Sequence, residues 1–386
     1  MQNTYEVKTM KMCIDGLSIS HMHGTGYYSY TYGLLSSLFE KYPQPEYDLV
    51  WDTDLIIPDW FKYKNISYSK LQINRANNDY KLLEEHLKNS KTDLYYSPNN
   101  GLSIPEHKVC KYILTVHDLS PVSCSSLVDN KYYHKFTTRF PEAIKKADSI
   151  IAVSEFIKNE IIKFYKIPDK KIEVVYPACS KIFKPLDLMT ARTFLRERYH
   201  IEGKFILYAG SVHSRKNLDI LIKTLKLLLR ETNNIKLVIV GNIDAKRKEY
   251  YLTLKSLTEK LEIQDHVVFT GTVDFCDMPY FYNCADCTVN LSSYEGFPTT
   301  AVEAATCNSP VICLRNSSFE EVILPTVFFI EHPDINLLKT ALANILYQKE
   351  KRNDFISHSP TPLSRYSHET SANKLVHIIE STVYEL

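Results

Sequence analysis

Short runs rich in β-branched and aromatic residues recur along this chain, each separated from the next by a stretch with helical spacing. This alternation constrains the fold more than any other feature. The first series is Met12–Ile19, Tyr47–Asp52, Leu94–Ser97, Tyr112–Val116, Ser149–Val153 and Ile172–Tyr176. The second is Phe205–Ala209, Lys236–Val240, Val267–Thr270, Cys287–Leu291, Val311–Leu314 and Val327–Ile330. Several runs are almost continuously apolar, as strands buried on both faces of a parallel sheet must be. Strands alternating with helices define an α/β chain with right-handed crossovers. At 386 residues the chain is too long for one ordinary domain and suits two of about 150–200 residues. The seam is expected where Tyr176-Pro177-Ala178-Cys179-Ser180 and Lys184-Pro185-Leu186 break regular structure twice with proline. Residues 1–184 then form the first domain and 185–365 the second. The tail, 366–386, reads as a helix with Leu375, Ile378 and Ile379 on one face, packing back on the first domain.

The charge balance excludes one class of partner. Lys plus Arg number 46 and Asp plus Glu 45, so no global basic field exists to hold nucleic acid. Nine cysteines, an odd and scattered set, argue against a disulfide framework and for a reducing compartment. The polar start lacks the apolar core of a signal peptide, and no run of 18 apolar residues occurs. A cytoplasmic location is the expectation.

Four segments carry residues suited to chemistry. The first candidate strand leads into His21-Met22-His23-Gly24-Thr25-Gly26-Tyr27, followed by a helical stretch, Tyr32–Phe39. Strand, glycine turn and helix present backbone N–H groups to a phosphate. The dinucleotide fingerprint is incomplete, with serine in place of the third glycine, and a plain strand-to-helix turn explains the segment equally. Thr115-Val116-His117-Asp118 closes another strand, where ligands of open α/β sheets sit. His117 and Asp118 could bind a sugar hydroxyl or move a proton there; alternatively they cap the strand end and the next turn. Gly210-Ser211-Val212-His213-Ser214-Arg215-Lys216-Asn217 follows the first strand of the second half. Adjacent Arg215 and Lys216 suit a pyrophosphate, although a solvated basic turn is the common fate of such a pair. The following helix carries Leu218, Leu221, Leu225 and Leu228 on one face.

The richest segment is Tyr294-Glu295-Gly296-Phe297-Pro298-Thr299-Thr300-Ala301-Val302-Glu303. A helix should start near Thr299 or Thr300, just after Pro298, with its N–H groups ready for an anion and Glu303 in its first turn. Carboxylates only accept hydrogen bonds, which suits ribose or hexose hydroxyls. Thr300-x-x-Glu303 also fits a capping box that merely closes the helix end. Glu295, beside Gly296, has no such structural explanation.

Taken together and in order, these segments resemble the retaining glycosyltransferases of family 4, which have the GT-B fold. The pieces are Gly24-Thr25-Gly26-Tyr27, Thr115-Val116-His117-Asp118-Leu119, Val153-Ser154-Glu155-Phe156, Tyr208-Ala209-Gly210-Ser211 with Arg215-Lys216-Asn217, and Glu295 to Glu303. The nearest subgroup is that of bacterial O-antigen and capsule mannosyltransferases. The resemblance implies two Rossmann-like domains whose parallel sheets face each other across a cleft. It implies a nucleotide-diphosphate sugar as donor, a glycan or lipid-linked glycan as acceptor, no cofactor and no metal. By the same resemblance Gly26 and Gly210 line the donor, Arg215 and Lys216 neutralise its diphosphate, and His117 stands beside the donor sugar. Glu295 lies near the transferred sugar, Glu303 holds the ribose, and Gly296, Phe297, Pro298, Thr299 and Thr300 surround sugar and phosphates. His117, Arg215, Lys216 and Glu295 are the catalytic candidates. Two departures bear on donor specificity. The family's usual Gly-Phe-Gly-Leu-Pro is here Gly296-Phe297-Pro298-Thr299-Thr300, and its Cys-Gly-x-Pro-Val is Cys307-Asn308-Ser309-Pro310-Val311. A sugar-nucleotide epimerase and a nicotinamide dehydrogenase are the competing enzyme classes.

Other signals point to less. His21-x-His23 lacks further metal ligands at suitable spacing, and Cys284-Ala285-Asp286-Cys287 lacks the second pair that zinc requires. Asp52-Thr53-Asp54 has the letters of a metal-dependent transferase motif but reads as a surface loop. Lys131, Tyr132, Tyr133, His134, Lys135, Phe136, Arg139, Phe140, Lys145 and Lys146 interleave charge and aromaticity at helical spacing. That pattern suits peripheral contact with a membrane surface, or a helix packed on the sheet with a solvated basic side, which is the favoured reading.

Overall fold

The computed structural model describes residues 9–21, 26–52, 63–73, 80–231, 234–243, 247–323, 327–348 and 363–384. Two units divide the chain, Met1–Ala178 with Arg365–Leu386, and Cys179–Ser364. The first contains β1 (Lys11–Asp15), α1 (Leu17–His21), α2 (Gly26–Lys41), β2 (Glu46–Trp51), β3 (Ile66–Lys70), α3 (Lys81–Asn89), β4 (Leu94–Ser97), β5 (Lys111–Val116), α4 (Ser120–Ser123), α5 (Asn130–Lys146), β6 (Ser149–Ala152), α6 (Glu155–Tyr165) and β7 (Ile172–Val174). The second contains α7 (Leu188–Tyr199), β8 (Lys204–Ala209), α8 (Leu218–Leu228), β9 (Ile235–Val240), α9 (Lys248–Lys260), β10 (Val267–Gly271), α10 (Met278–Cys284), β11 (Cys287–Asn290), α11 (Thr299–Thr306), β12 (Val311–Leu314), α12 (Phe319–Ile323), β13 (Val327–Ile330) and α13 (Ile335–Tyr347). The last helix, α14 (His368–Tyr384), belongs to the first unit.

The first sheet has the order β3-β2-β1-β4-β5-β6-β7 and the second β10-β9-β8-β11-β12-β13. Every strand pair among the described residues is parallel. Both orders reverse direction at one place, between β1 and β4 and between β8 and β11. Crossover helices leave in opposite senses there, so a crevice opens at the carboxyl ends of those strands.

The second unit's core explains its strand signal. Every residue of β11 and β12 is buried, which requires the unbroken apolar runs seen in the sequence. Leu218, Leu221, Leu225 and Leu228 of α8 all face this core, against Ile206, Tyr208, Leu237 and Ile239. In the first unit α14 buries Leu375, Ile378 and Ile379. It comes so close to α2 that a Cβ at Gly33 would lie 2.2 Å from His368 Nε2. Lys374 Nζ and Ser371 Oγ donate to the carbonyls of Val174 and Tyr176, at 2.9 and 2.8 Å.

Two expectations need correction. The first strand stops at Asp15 instead of running to Ile19, because the Asp15 carboxylate accepts the Leu17 N–H at 2.8 Å and starts a helical turn. The apolar letters of Leu17 and Ile19 therefore belong to α1. Strand β3 was not expected: as an edge strand it buries only Ile66, and its remaining residues, Ser67, Tyr68, Ser69 and Lys70, give no apolar run.

Candidate functional site

In the second unit the candidate residues gather at the carboxyl ends of β8 and β11, the point where the strand order reverses. The loop after β8 starts at Gly210, whose φ of +143° is open to glycine. The neighbouring loop presses against it, since a Cβ on Gly241 would fall 1.7 Å from the Gly210 carbonyl oxygen. The loop then makes a short 3₁₀ turn, Ser214–Lys216, and enters α8 through Asn217 at φ 53°. Asn217 Nδ2 donates to the Leu291 carbonyl at 2.7 Å and to Ser293 Oγ at 3.0 Å, which ties this loop to the one after β11.

That tie brings three charges together. Lys216 Nζ donates to Glu295 Oε1. Arg215 donates to the Tyr294 carbonyl at 2.7 Å and lies 3.7 Å from Glu295 Oε2. Ser292 Oγ donates to Glu295 Oε1 at 2.7 Å. Ser317 and Ser318 hold the Glu295 backbone, accepting its N–H at 3.1 Å and donating to its carbonyl at 2.8 Å. Burial works to raise the Glu295 pKa, but Lys216 and then Arg215 outweigh it, so the carboxyl stays below its ordinary value and charged. Lys216 itself is buried. Arg215 and Lys216 are thus held in place by a carboxylate, and the solvated-turn alternative does not describe them.

Glu303 behaves differently. It is the fifth residue of α11, in the second turn and not the first. Its carboxylate accepts from Tyr282 Oη at 2.9 Å, and the helix start has no side-chain cap bond. The capping-box alternative is therefore ruled out. Burial, opposed only weakly by the Tyr282 hydrogen bond, raises its pKa to about 8. Two glutamates eight positions apart are held in opposite protonation states at neutral pH. Pro298 precedes α11, which starts at Thr299, and the Thr299 N–H turns back to the Phe297 carbonyl at 2.9 Å. Asn290 Nδ2 reaches Thr300 Oγ1 at 3.4 Å. Gly296 and Phe297 lie in the same loop.

In the first unit His117 ends up at the tip of β5. Its Nε2 faces the Pro98 carbonyl at 2.7 Å, and a carbonyl can only accept, so Nε2 carries the proton. Burial lowers its pKa to about 4. The ring is therefore neutral at neutral pH and keeps a lone pair on Nδ1. Its backbone N–H donates to Asn100 Oδ1 at 2.7 Å, and its ring packs on Tyr27, centroids 4.3 Å apart. Asn100 Nδ2 also donates to Tyr27 Oη at 3.0 Å, and Tyr27 Oη donates to Asp118 Oδ2 at 3.2 Å. Asp118 takes the Ser120 N–H at 3.0 Å and caps the next turn, as one of its two alternatives held. Gly26 opens α2, and a Cβ there would meet nothing within 4 Å. The preceding Gly24 and Thr25 lie outside the described residues, as do His23, Thr53 and Asp54.

Sequence reasoning missed Asn100, Tyr282, Ser292, Ser317 and Ser318, the side chains that hold the candidates. Asn100 was within reach, since Pro98-Asn99-Asn100-Gly101 is a turn at the end of a central strand. Tyr282 was not, being one of 27 tyrosines. All nine cysteines are free thiols, Cys284 and Cys287 among them, both buried. On α5, Arg139 donates to the Ile104 carbonyl at 2.6 Å and Lys146 to the Pro105 carbonyl at 3.3 Å, which supports the packed-helix reading. No helix among the described residues is long and apolar enough to cross a membrane.

Comparison with known proteins assigns this architecture. Residues 37–180 match the family model described as Glycosyltransferase Family 4, and residues 192–361 match Glycosyl transferases group 1. O-antigen chain mannosyltransferase B of Escherichia coli is 24% identical over 290 residues, covering 75% of this chain and 74% of that protein. O-antigen chain mannosyltransferase RfbU of Salmonella typhimurium is 26% identical over 253 residues, covering 66% and 65%. Among solved structures, the sucrose-phosphate synthase of Thermosynechococcus elongatus superposes with a TM-score of 0.77 at 17% identity, covering 98% of this chain and all of its own. HepE of Anabaena, in complex with UDP-glucose, gives 0.76 at 15% identity, covering 96% of this chain and all of its own. The dehydrogenase and epimerase alternatives fall away. Its two parallel sheets form the GT-B fold, and the chain belongs to the family 4 glycosyltransferases.

Proposed function

We propose that this glycosyltransferase moves a hexose, mannose from GDP-mannose, to a glycan or lipid-linked glycan acceptor in surface polysaccharide synthesis, with retention of anomeric configuration. The observation that carries the reading is the cluster of Arg215, Lys216 and Glu295 at the strand-order reversal of the second sheet. The mannosyl choice is supported by the O-antigen mannosyltransferases the chain resembles. A nucleotide sugar as donor is supported by the UDP-glucose that HepE binds.

The chemistry follows from charge. As the glycosidic bond breaks, the leaving diphosphate gains negative charge, which Arg215 and Lys216 neutralise. Glu295 keeps both cations charged and aimed until the donor arrives, then meets hydroxyls of the transferred sugar. Glu303 accepts from the ribose hydroxyls. His117, fixed as the Nε2–H tautomer, offers Nδ1 as an acceptor to a sugar hydroxyl. The leaving phosphate takes the acceptor's proton on the same face, and no metal or cofactor is required. The protein works in the cytoplasm; a lipid-linked acceptor would bring it against the membrane's inner face.

The test is thermal shift with GDP, UDP, ADP, dTDP and NAD on the native chain and on Arg215→Ala and Glu303→Ala. A ligand that binds only the folded state raises the melting temperature. A shift with GDP that both variants lose supports the reading, and undiminished activity in EDTA supports metal independence. A shift with NAD alone, indifferent to both substitutions, refutes it.

A further inference from the structure

A second cluster of ligand-type side chains lies in the first unit, under α3, and takes no part in the proposed transfer. Cys13 of β1 and Asp48 of β2 are register partners, so their side chains stand next to each other on one face. His86 reaches down from α3, its Nε2 2.5 Å from Asp48 Oδ2. The Cys13 sulfur, an Asp48 oxygen and a His86 ring nitrogen all lie within 4.8 Å of one another.

Each part has an ordinary explanation when taken alone. A His–Asp pair fastens a helix to a sheet, and a buried cysteine fills apolar space. Together they amount to more. Cys13 is 1% exposed, packed with Leu83 and Leu87 of α3, and among the described residues its thiol has no hydrogen-bond partner. Burial first, and then the neighbouring Asp48 carboxylate, oppose its ionisation. Both oxygens of that carboxylate already accept from Ser69 Oγ, at 2.9 and 3.1 Å, the outer contact typical of a metal-binding carboxylate. The Asp48 and His86 side chains are 23% and 22% exposed, which gives an ion a way in.

We propose that Cys13, Asp48 and His86 form a zinc site that fastens α3 to β1 and β2. One sulfur, one imidazole nitrogen and one carboxylate oxygen make a donor set that suits zinc; magnesium and calcium favour oxygen alone. With zinc bonds of about 2.0–2.3 Å, tetrahedral ligand atoms stand roughly 3.3–3.8 Å apart. The Asp48–His86 hydrogen bond opens by about 1 Å to admit the ion. The Cys13 thiol proton leaves to solvent, the neutral imidazole's proton shifts from Nε2 to Nδ1 so that the Nε2 lone pair meets the ion, and water completes the coordination.

The test uses the full chain, stripped with a chelator and titrated with cobalt(II) and zinc. The expected results are one zinc per chain, a thiolate-to-cobalt absorption band, release of about one proton per zinc at neutral pH, and a melting temperature that rises with zinc. Cys13→Ser should abolish the band. His86→Gln, on a half-buried helix position, should fold normally and weaken zinc binding by more than the roughly 10–100-fold that losing an outer contact to a ligand costs. The proposal is overturned by zinc-independent melting with no cobalt band. It is equally overturned by a band of undiminished strength in Cys13→Ser, which would assign the ion to other cysteines, or by unchanged affinity in His86→Gln.

Discussion

Glu303 offers the sharpest quantitative test, because its burial has a consequence that needs no substrate. Its carboxyl group has an ordinary pKa of 4.5 and a folded-state value of about 8, raised by burial. Below pH 4.5 the folded and unfolded chains both hold the proton. Between there and pH 8 the unfolded chain releases it while the folded chain keeps it, so stability falls as pH rises. Above pH 8 both states are ionised and the whole penalty stands. At about 1.4 kcal/mol per pKa unit, the full span comes to about 5 kcal/mol, of which about 3 falls between pH 5 and 7. Glu303→Gln keeps the shape and removes the titration. Amide hydrogen exchange of β11 and α11 is the suitable assay, since Trp51 and Trp60 both precede Ala178 and fluorescence would follow the first unit. Comparing the two proteins at each pH cancels the intrinsic pH dependence of exchange. The variant should gain on the native protein by about 3 kcal/mol between pH 5 and 7, and further up to pH 9. A difference that stays flat within about 0.5 kcal/mol over that range would refute the account.

Three further outcomes are expected. If Glu303 must be ionised to accept from ribose, GDP affinity in the native chain should rise about tenfold from pH 7 to 9, and calorimetry on Glu303→Gln should show no such rise. Lys216→Met leaves Glu295 buried with Arg215 alone and should cost about 3–5 kcal/mol of stability, whereas the double variant Lys216→Met/Glu295→Leu should recover most of that in denaturation while still failing to bind nucleotide. Nitrogen NMR of His117 should show the neutral Nε2–H tautomer down to about pH 4; a titration above pH 6 would contradict the burial that lowers its pKa.

The inner strands were legible because burial on two faces leaves no choice of letters: Leu94–Ser97 and Val311–Leu314 run as read. The edge strand β3 escaped because one buried residue in five leaves no pattern. At the site, charge was legible and its partners were not. The Arg215-Lys216 pair and the two glutamates stood out by composition. That Lys216 would meet Glu295 depends on Asn217 bridging two loops, a contact between residues more than seventy positions apart. Glu303 misled in a different way. Its spacing from Thr300 satisfied a local rule, yet Tyr282, on α10, offered a buried hydroxyl and the local rule lost.

The last helix has a consequence for synthesis. It completes the first unit, yet it is made after the whole of Cys179–Ser364. At roughly 5–20 residues per second, the ribosome needs on the order of 10–40 seconds to lay down that second unit. Throughout that interval the surface of α2 around Gly33, against which α14 packs in the finished protein, has no cover. The second unit has all its strands in one continuous segment and can close as it emerges. The chain is therefore made in one order and finished in another, and the half begun first is exposed longest to aggregation and to chaperones.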